Sequence, residues 1–310
     1  MTLLFVDSFD HYTTVPGDKG WVTPPNSSGN GSIGAFGRNG TNGFQCGNSR
    51  KGDIQVVPSA PATITVGVAV NVAGLADAQI LLSLWDGSTE QILLQAMALG
   101  SLQALRSSNA ILGTTPPGVL QPGHWTYIEL QSKIDPAAGT VVVKVNGTTV
   151  LNLAGINTRQ SATSEVNGVG LCGMNEGSDA GVVNFDDLYI ADTLGAINNG
   201  FLGDVRIVAL LPNGAGNYTE WDGLTGAATH WQAVSENPPN DDTSYVSDTL
   251  AIPGHRDTYT LADLPAAIAG TVPAVQAIAY ARKDDAGVRT IATMVRSAAA
   301  DATGADVNLG

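Results

Sequence analysis

The chain has 310 residues, long enough for two domains with cores of their own. Apolar residues make up 43%, which excludes disorder throughout, and charged residues only 14%. The net charge of −14 argues against binding nucleic acid backbones, which requires basic patches.

In chain order, Leu3 to Asp10 reads as an opening strand. Residues 16–52 are rich in Gly, Asn, Ser and Pro and read as a long loop region, with Ile33–Phe36 and Gly43–Cys46 as short strands within it. Such a loop suits draping on a neighbouring subunit. Ile54–Val57, Thr63–Val70 and Gln79–Trp85 follow as strands, the last closed by the turn pair Asp86-Gly87. Glu90–Leu99 has helical propensity, but hairpin punctuation on both sides favours a strand. Gln103–Arg106 and Ala110–Leu112 pair as short strands.

The most ordered pattern runs from Trp125 to Leu153. Thr126, Ile128 and Leu130 alternate with Trp125, Tyr127 and Glu129, a period of two with one buried face. Val141, Val143 and Val145 alternate again and run into Asn146-Gly147, a strong hairpin signal. A two-residue loop sets Val143 opposite Val150, and a three-residue loop sets it opposite Leu151. Turn chemistry favours the first and burial the second. Gly168–Cys172 and Val182–Ile190 complete the domain, and the closing strand Phe185–Ile190 is expected beside the opening one.

These features resemble the concanavalin A-like (laminin G-like) jelly roll. They are Trp-x-Tyr-Ile-Glu, then Thr-Val-x-Val-x-Val-Asn-Gly, Gly-Val-Gly-Leu and Phe-Asp-Asp-Leu-Tyr-Ile, in that order. The expected fold is all-β: a concanavalin A-like antiparallel jelly-roll sandwich over 1–198, followed by a second, smaller β-sandwich over 199–310. Gly195–Gly203 reads as the linker, and Asp204–Leu211 as the first strand of the second domain, with Arg256–Leu261, Val275–Arg282 and Val288–Arg296 later.

The second segment, with Gly203-Asp-Val-Arg, Trp231-x-Ala-Val and Asp241-Asp-Thr-Ser-Tyr-Val, is similar to tailed-bacteriophage virion proteins, as is Phe5-Val-Asp-Ser-Phe-Asp-His-Tyr. The resemblance implies a non-enzymatic structural subunit of a virion (decoration, tail or fibre), whose partners are other virion proteins and copies of itself. The first residues lack a positive n-region and meet Asp7 early, which reads as synthesis in the host cytoplasm without a signal peptide. No apolar run approaches the ~18 residues of a membrane-spanning helix. The sequence stops at Gly310 where another strand would begin, so that strand is absent, supplied by a partner or cut off. A glycan-binding host-attachment module is the alternative function, with a cell-surface glycan as partner, and a polysaccharide depolymerase ranks below it.

Candidate chemistry is sparse. Glycosidic cleavage on this fold needs two carboxylates on one strand face. Asp7 with Asp10 and Asp186 with Asp187 are the nearest pairs, neither at i, i+2, and Glu129 stands alone on a face read as solvated. Gly-x-Ser-x-Gly is missing, and His11, His124, His230 and His255 are scattered, so they read as structural or surface groups. The jelly-roll resemblance implies a structural Ca²⁺ held by Asp187 with Asp7 or Asp10. Glycan binding would use aromatic platforms. Trp85 and Trp125 lie in strands and read as core. Trp21, in a loop, is the more open platform, and Trp221, Trp231 and Tyr245 suit a glycan site, a core or an oligomer interface. Cys46 and Cys172 read as two lone buried thiols rather than a bridge.

Overall fold

The computed structural model describes all residues except 1–2, 13, 15–18, 23–30, 47–53, 76–77, 108–109, 174–181, 251, 267 and 269. Parts of the long loop read over 16–52 therefore lie outside the described residues. The chain forms two compact units, Met1–Leu210 and Leu211–Gly310.

The strands of the first unit are, in order, β1 (Leu3–Asp7), β2 (Trp21–Val22), β3 (Ser32–Gly34), β4 (Gly43–Cys46) and β5 (Ile54–Val56). Next come β6 (Thr63–Val72), β7 (Gln79–Asp86), β8 (Thr89–Ala96), β9 (Leu102–Arg106) and β10 (Ala110–Thr114). β11 (Thr126–Lys133), β12 (Gly139–Val145), β13 (Thr148–Ile156), β14 (Gly168–Gly173) and β15 (Val183–Asp192) follow. They make two antiparallel sheets. One has the order β13-β12-β11-β6-β15-β4-β3 with β1 also on β15, and the other β10-β9-β8-β7-β14-β5-β2. This is a β-sandwich of the jelly-roll type, and β8 is the strand that its flanking turns indicated.

The core follows from alternation. Ile64, Val66, Val68, Val70 and Val72 of β6 point into the sandwich with Ile128 and Leu130 of β11 and Val141 and Val143 of β12. Asn146 and Gly147 take positive φ of 48° and 79° and close a two-residue turn with Val145 opposite Thr148. The register then slips by one, so that Lys144 faces Thr149 but Val143 faces Leu151. Both opposed expectations are thus met: turn chemistry sets the loop, and a bulge at Val150 restores the register that burial demands.

A second bulge lies on β15. Asp186 pairs with Ala69 and Tyr189 with Gly67, so Asp187 and Leu188 together oppose Val68. Asp187 takes φ 52°. Leu188 joins the core, while Tyr189 crosses the outer face of the sheet over Gly67. A Cβ at Gly67 would sit 2.0 Å from the Tyr189 ring, so only glycine fits beneath it.

Four expectations are corrected here. Cys46 and Cys172 are joined in a disulfide, Cα–Cα 6.6 Å, which ties β4 of one sheet to β14 of the other. Their 126-residue separation in sequence carried no information about proximity across the sandwich. Trp21 is no open platform: it is 3% exposed, and its ring stacks on Phe44 at 6.1 Å beside Phe5 and Phe9. Glu129 is 1% exposed, not solvated. Asp204–Leu211 forms no strand, and all of it but Leu211 belongs to the first unit. Backbone donors there are taken by side chains, Gly203 N–H by Glu129 and Ile207 N–H by Asp187, while Leu202 and Val205 cover Tyr127 and Tyr189.

In the second unit β16 (Pro212–Thr219), β17 (Gly223–Thr225), β18 (Tyr245–Ser247) and β19 (Asp257–Leu261) precede β20 (Thr290–Ile291), β21 (Met294–Ser297), β22 (Ala300–Thr303) and β23 (Val307–Asn308). They pair as four two-stranded antiparallel ladders: β16-β19, β17-β18, β20-β23 and β21-β22. The segment Val275–Arg282, expected as a strand, joins none of them. No helix among the described residues is long and apolar enough to cross a membrane.

Candidate functional site

The acidic groups of the first unit are held by their own neighbours. Asp7 is buried and accepts hydrogen bonds from the Tyr12 hydroxyl (2.5 Å), Lys19 Nζ (3.2 Å) and Trp21 Nε1 (3.4 Å) through Oδ2, and from Phe9 N–H (2.8 Å) through Oδ1. Burial and the adjacent carboxylate push the Tyr12 phenol upward, so it stays a donor. Asp187 Oδ2 lies 3.0 Å from Arg38 and 3.3 Å from Arg206, and its Oδ1 accepts Ile207 N–H at 2.7 Å. Burial and the Asp187 charge lift the Asp186 carboxyl to about 7, and burial also raises Asp187. Asp10 accepts Asn42 N–H at 3.0 Å. Two guanidinium groups thus stand where the resemblance placed a cation on Asp187. Among the described residues no group of three His, Cys, Asp or Glu gathers to hold a metal.

A pocket with aromatic and polar lining lies in the second unit. β16 and β19 pair at Ala215–Tyr259 and again at Thr219–Asp257, with an irregularity between. Gly216 permits this, since a Cβ there would meet the Thr258 backbone at 2.6 Å. The chain then turns through Thr229 and His230 into a 3-10 turn, Trp231–Val234, anchored where Ala233 N–H donates to Thr229 and His230 carbonyls. Together these elements line an open pocket of about 410 Å³, bordered by Thr219, Thr229, His230, Trp231, Asp257, Thr258 and Tyr259 and by the apolar Ala215, Leu224 and Ala228. Ligand pockets span about 300–1,000 Å³.

Asp257 is the electrostatic centre. Its side chain is 2% exposed; Oδ2 lies 2.6 Å from His230 Nδ1 and accepts the Tyr259 hydroxyl at 2.9 Å. Its Oδ1 is buried and accepts no hydrogen bond among the described residues. Burial and the Asp257 charge push the Tyr259 phenol upward, so it remains a neutral donor. Thr258 Oγ1 is committed to the Tyr218 backbone, which locks that strand position. An indole, a phenol, a carboxylate and an imidazole are among the groups that line the pocket.

Of the sequence candidates, Trp231 lies in this pocket, Trp221 is half-buried outside its lining, and Tyr245 opens β18 with 40% exposure. Trp125 packs against the Tyr127–Tyr189 cluster, and Trp85 donates to Ser83 Oγ at 2.8 Å. Nothing in the sequence groups His230 with Asp257 and Tyr259. Asp257 and Tyr259 at i, i+2 share a strand face, which was legible. Their meeting with His230, 27 residues earlier, was not. The other histidines do not converge: His11 contacts Lys19, His124 is exposed, and His255 faces Asp248.

No protein-family model and no curated protein matches the chain. Among solved structures it is similar to domain 4 of an extracellular GH43 arabinanase from Geobacillus stearothermophilus, in complex with arabinotriose (14% identity, TM-score 0.43, 61% of this chain and 91% of that one). It is also similar to the alginate lyase Aly36B (13%, 0.40, 60% and 96%) and to an endo-β-1,4-glucuronan lyase from the fungus Trichoderma reesei (12%, 0.39, 61% and 95%). These are distant likenesses of β-sandwich folds. They correct the expectation of a non-enzymatic structural subunit of a virion. The proteins found are carbohydrate-active, and nothing in the comparisons indicates a virion protein.

Proposed function

We propose that this protein is a glycan-binding module: a jelly-roll sandwich joined to a second unit whose pocket takes a saccharide. The observation that carries the reading is the pocket wall itself, where Trp231 and Tyr259 adjoin the buried Asp257 with one oxygen left unsatisfied. A pyranose or furanose ring has an apolar C–H face that packs on an aromatic ring and a rim of hydroxyl donors. An unpaired buried carboxylate oxygen costs free energy that a hydroxyl donor recovers, and hydrogen bonds to charged groups contribute about 1.5–3 kcal/mol each. Thr219 and Thr229 add hydroxyls on the rim. A cell-surface glycan is the partner of matching chemistry.

The test is a glycan array followed by calorimetric titration of the best saccharide. Binding that weakens at least tenfold in both Trp231→Ala and Asp257→Asn, with the thermal transition of the first unit unchanged, supports the reading. Binding unaffected by either substitution removes the pocket from it, and no binding across neutral, amino and acidic glycans overturns it.

A further inference from the structure

One contact in the second-unit pocket has the form of a catalytic dyad. His230 is the N-cap of the Trp231–Val234 turn, and its Nδ1 lies 2.6 Å from Asp257 Oδ2. A carboxylate only accepts hydrogen bonds, so Nδ1 carries the proton and the free lone pair resides on Nε2. The Tyr259 hydroxyl, 2.9 Å from the same Asp257 oxygen, holds the carboxylate and through it the imidazole. Nε2 has no hydrogen-bond partner among the described residues and is not buried. The nitrogen left open thus belongs to a residue that lines the pocket.

The other lining groups narrow the chemistry. Trp231 Nε1 and Thr219 Oγ1 are donors without a partner among the described residues, whereas Thr229 Oγ1 donates to Gln232 and Thr258 Oγ1 to the Tyr218 carbonyl. Asp257 is the only carboxylate among the described lining residues, so the two carboxyl groups of glycosidic cleavage are not there. No Lys or Arg among them faces the carboxylate of a uronate, whose negative charge would have to be offset before a neighbouring proton could be abstracted. An ester asks less: a base for water, donors for the carbonyl oxygen and a proton for the departing alcohol.

We propose that this pocket hydrolyses carboxylic esters, O-acyl groups on a saccharide above all, with His230 as general base and Asp257 as the residue that positions it. Water at Nε2 gives a proton to the imidazole as its oxygen bonds to the acyl carbon. The carbonyl π pair moves onto the carbonyl oxygen, for which the Trp231 and Thr219 donors are the groups available. The tetrahedral intermediate then collapses, the carbon–oxygen bond to the alcohol breaks, and the imidazolium returns its proton to the leaving oxygen. One ester and one water give one acid and one alcohol, with no further reactant. Asp257 keeps the proton on Nδ1 and stabilises the imidazolium that forms in between. The choice of an acylated saccharide rests on the glycan reading; the hydrolysis itself rests on the dyad.

The test is hydrolysis of para-nitrophenyl acetate and of fully acetylated glucose by the full chain, with every variant assayed below its thermal transition. Turnover above the buffer rate is expected, with an ascending limb in the pH–rate profile as the base loses its proton. His230→Ala is expected to lose about 10²–10⁴-fold in kcat and to regain part of it when imidazole is added. His124→Ala, at an exposed histidine of the first unit, leaves the rate unchanged. On the nitrophenyl ester, Asp257→Asn is expected to lower kcat more than it raises KM and to displace the ascending limb, which a purely structural role would not do. Hydrolysis of both esters at the buffer rate overturns the proposal. A rate that survives His230→Ala, or that imidazole fails to restore, overturns it as well. The nitrophenyl ester carries no sugar, so the two readings fail separately: glycan binding without ester hydrolysis overturns this proposal alone, and hydrolysis without glycan binding supports it while overturning the glycan reading.

Discussion

The hydroxyl of Tyr189 donates to Glu129 Oε1 at 2.5 Å beneath the segment that closes the first unit. The same oxygen accepts Gly203 N–H at 2.8 Å, and Leu202 N–H reaches the Tyr189 oxygen at 3.1 Å. A buried carboxylate thus fastens residues 202–203 to the outer face of the sheet. Glu129→Ala leaves a phenol and an amide unpaired in a dry setting, at about 1–3 kcal/mol for each group so orphaned. Glu129→Gln keeps an acceptor for both and removes a charge whose Oε2 is unpartnered among the described residues. Chemical denaturation should therefore show a large loss for alanine and a small change for glutamine. Equal losses would mean that charge, not hydrogen bonding, holds the segment.

Reduction of the Cys46–Cys172 bridge should lower the unfolding free energy of the first unit. A crosslink over 126 residues restricts the unfolded chain, and removal of such a bridge costs about 2–5 kcal/mol. Thermal melts with and without reductant, repeated on a Cys46→Ala/Cys172→Ala double variant, should agree with one another. A reductant-sensitive melt in the double variant would place the effect elsewhere.

Stability of the first unit should fall as pH rises from about 4 towards 7. Burial lifts the folded-state Asp186 carboxyl from 3.8 to about 7, and raises Asp187 as well. Between those limits the folded state binds more protons than the unfolded one, so the unfolding free energy declines with pH by up to about 1.4 kcal/mol per unit for one group. Below the unfolded value the penalty vanishes, and above about 7 it is constant. Asp186→Asn should flatten the slope in urea titrations taken across this range. An unchanged slope would assign the proton uptake to other groups.

The sandwich was legible because β-alternation over Thr63–Val70 and Trp125–Val145 reports burial directly, and because hairpin punctuation outweighed the helical propensity of Glu90–Leu99. What escaped were relationships between distant residues. The stretch Asp204–Leu211 has the apolar content of a strand, but Asp187, reached through a bulge, takes Ile207 N–H. Trp21 sits in a glycine- and proline-rich stretch that reads as open, yet its indole fills the end of the core against Phe44. The pocket shows the same limit: the Trp231 ring is legible as an aromatic platform, while the His230–Asp257 contact depends on how a 3-10 turn meets strand β19.

That contact yields the last expectation. Asp257 Oδ2 is met by His230 and Tyr259, so the carboxylate is oriented from two sides, and Oδ1 is buried without a hydrogen-bond partner among the described residues. Tyr259→Phe removes one of those contacts and keeps the aromatic wall. It should cost about 1 kcal/mol of stability and weaken saccharide binding by a few-fold, since the carboxylate gains freedom to turn. Trp231→Phe should retain part of the binding that Trp231→Ala loses, because a smaller ring still offers a stacking face. His230→Ala strips the other contact and opens the pocket, so it should weaken binding more than Tyr259→Phe does. Titration of one saccharide against all four variants orders them, and binding that follows pocket volume instead of ring and carboxylate chemistry would argue against recognition by this wall.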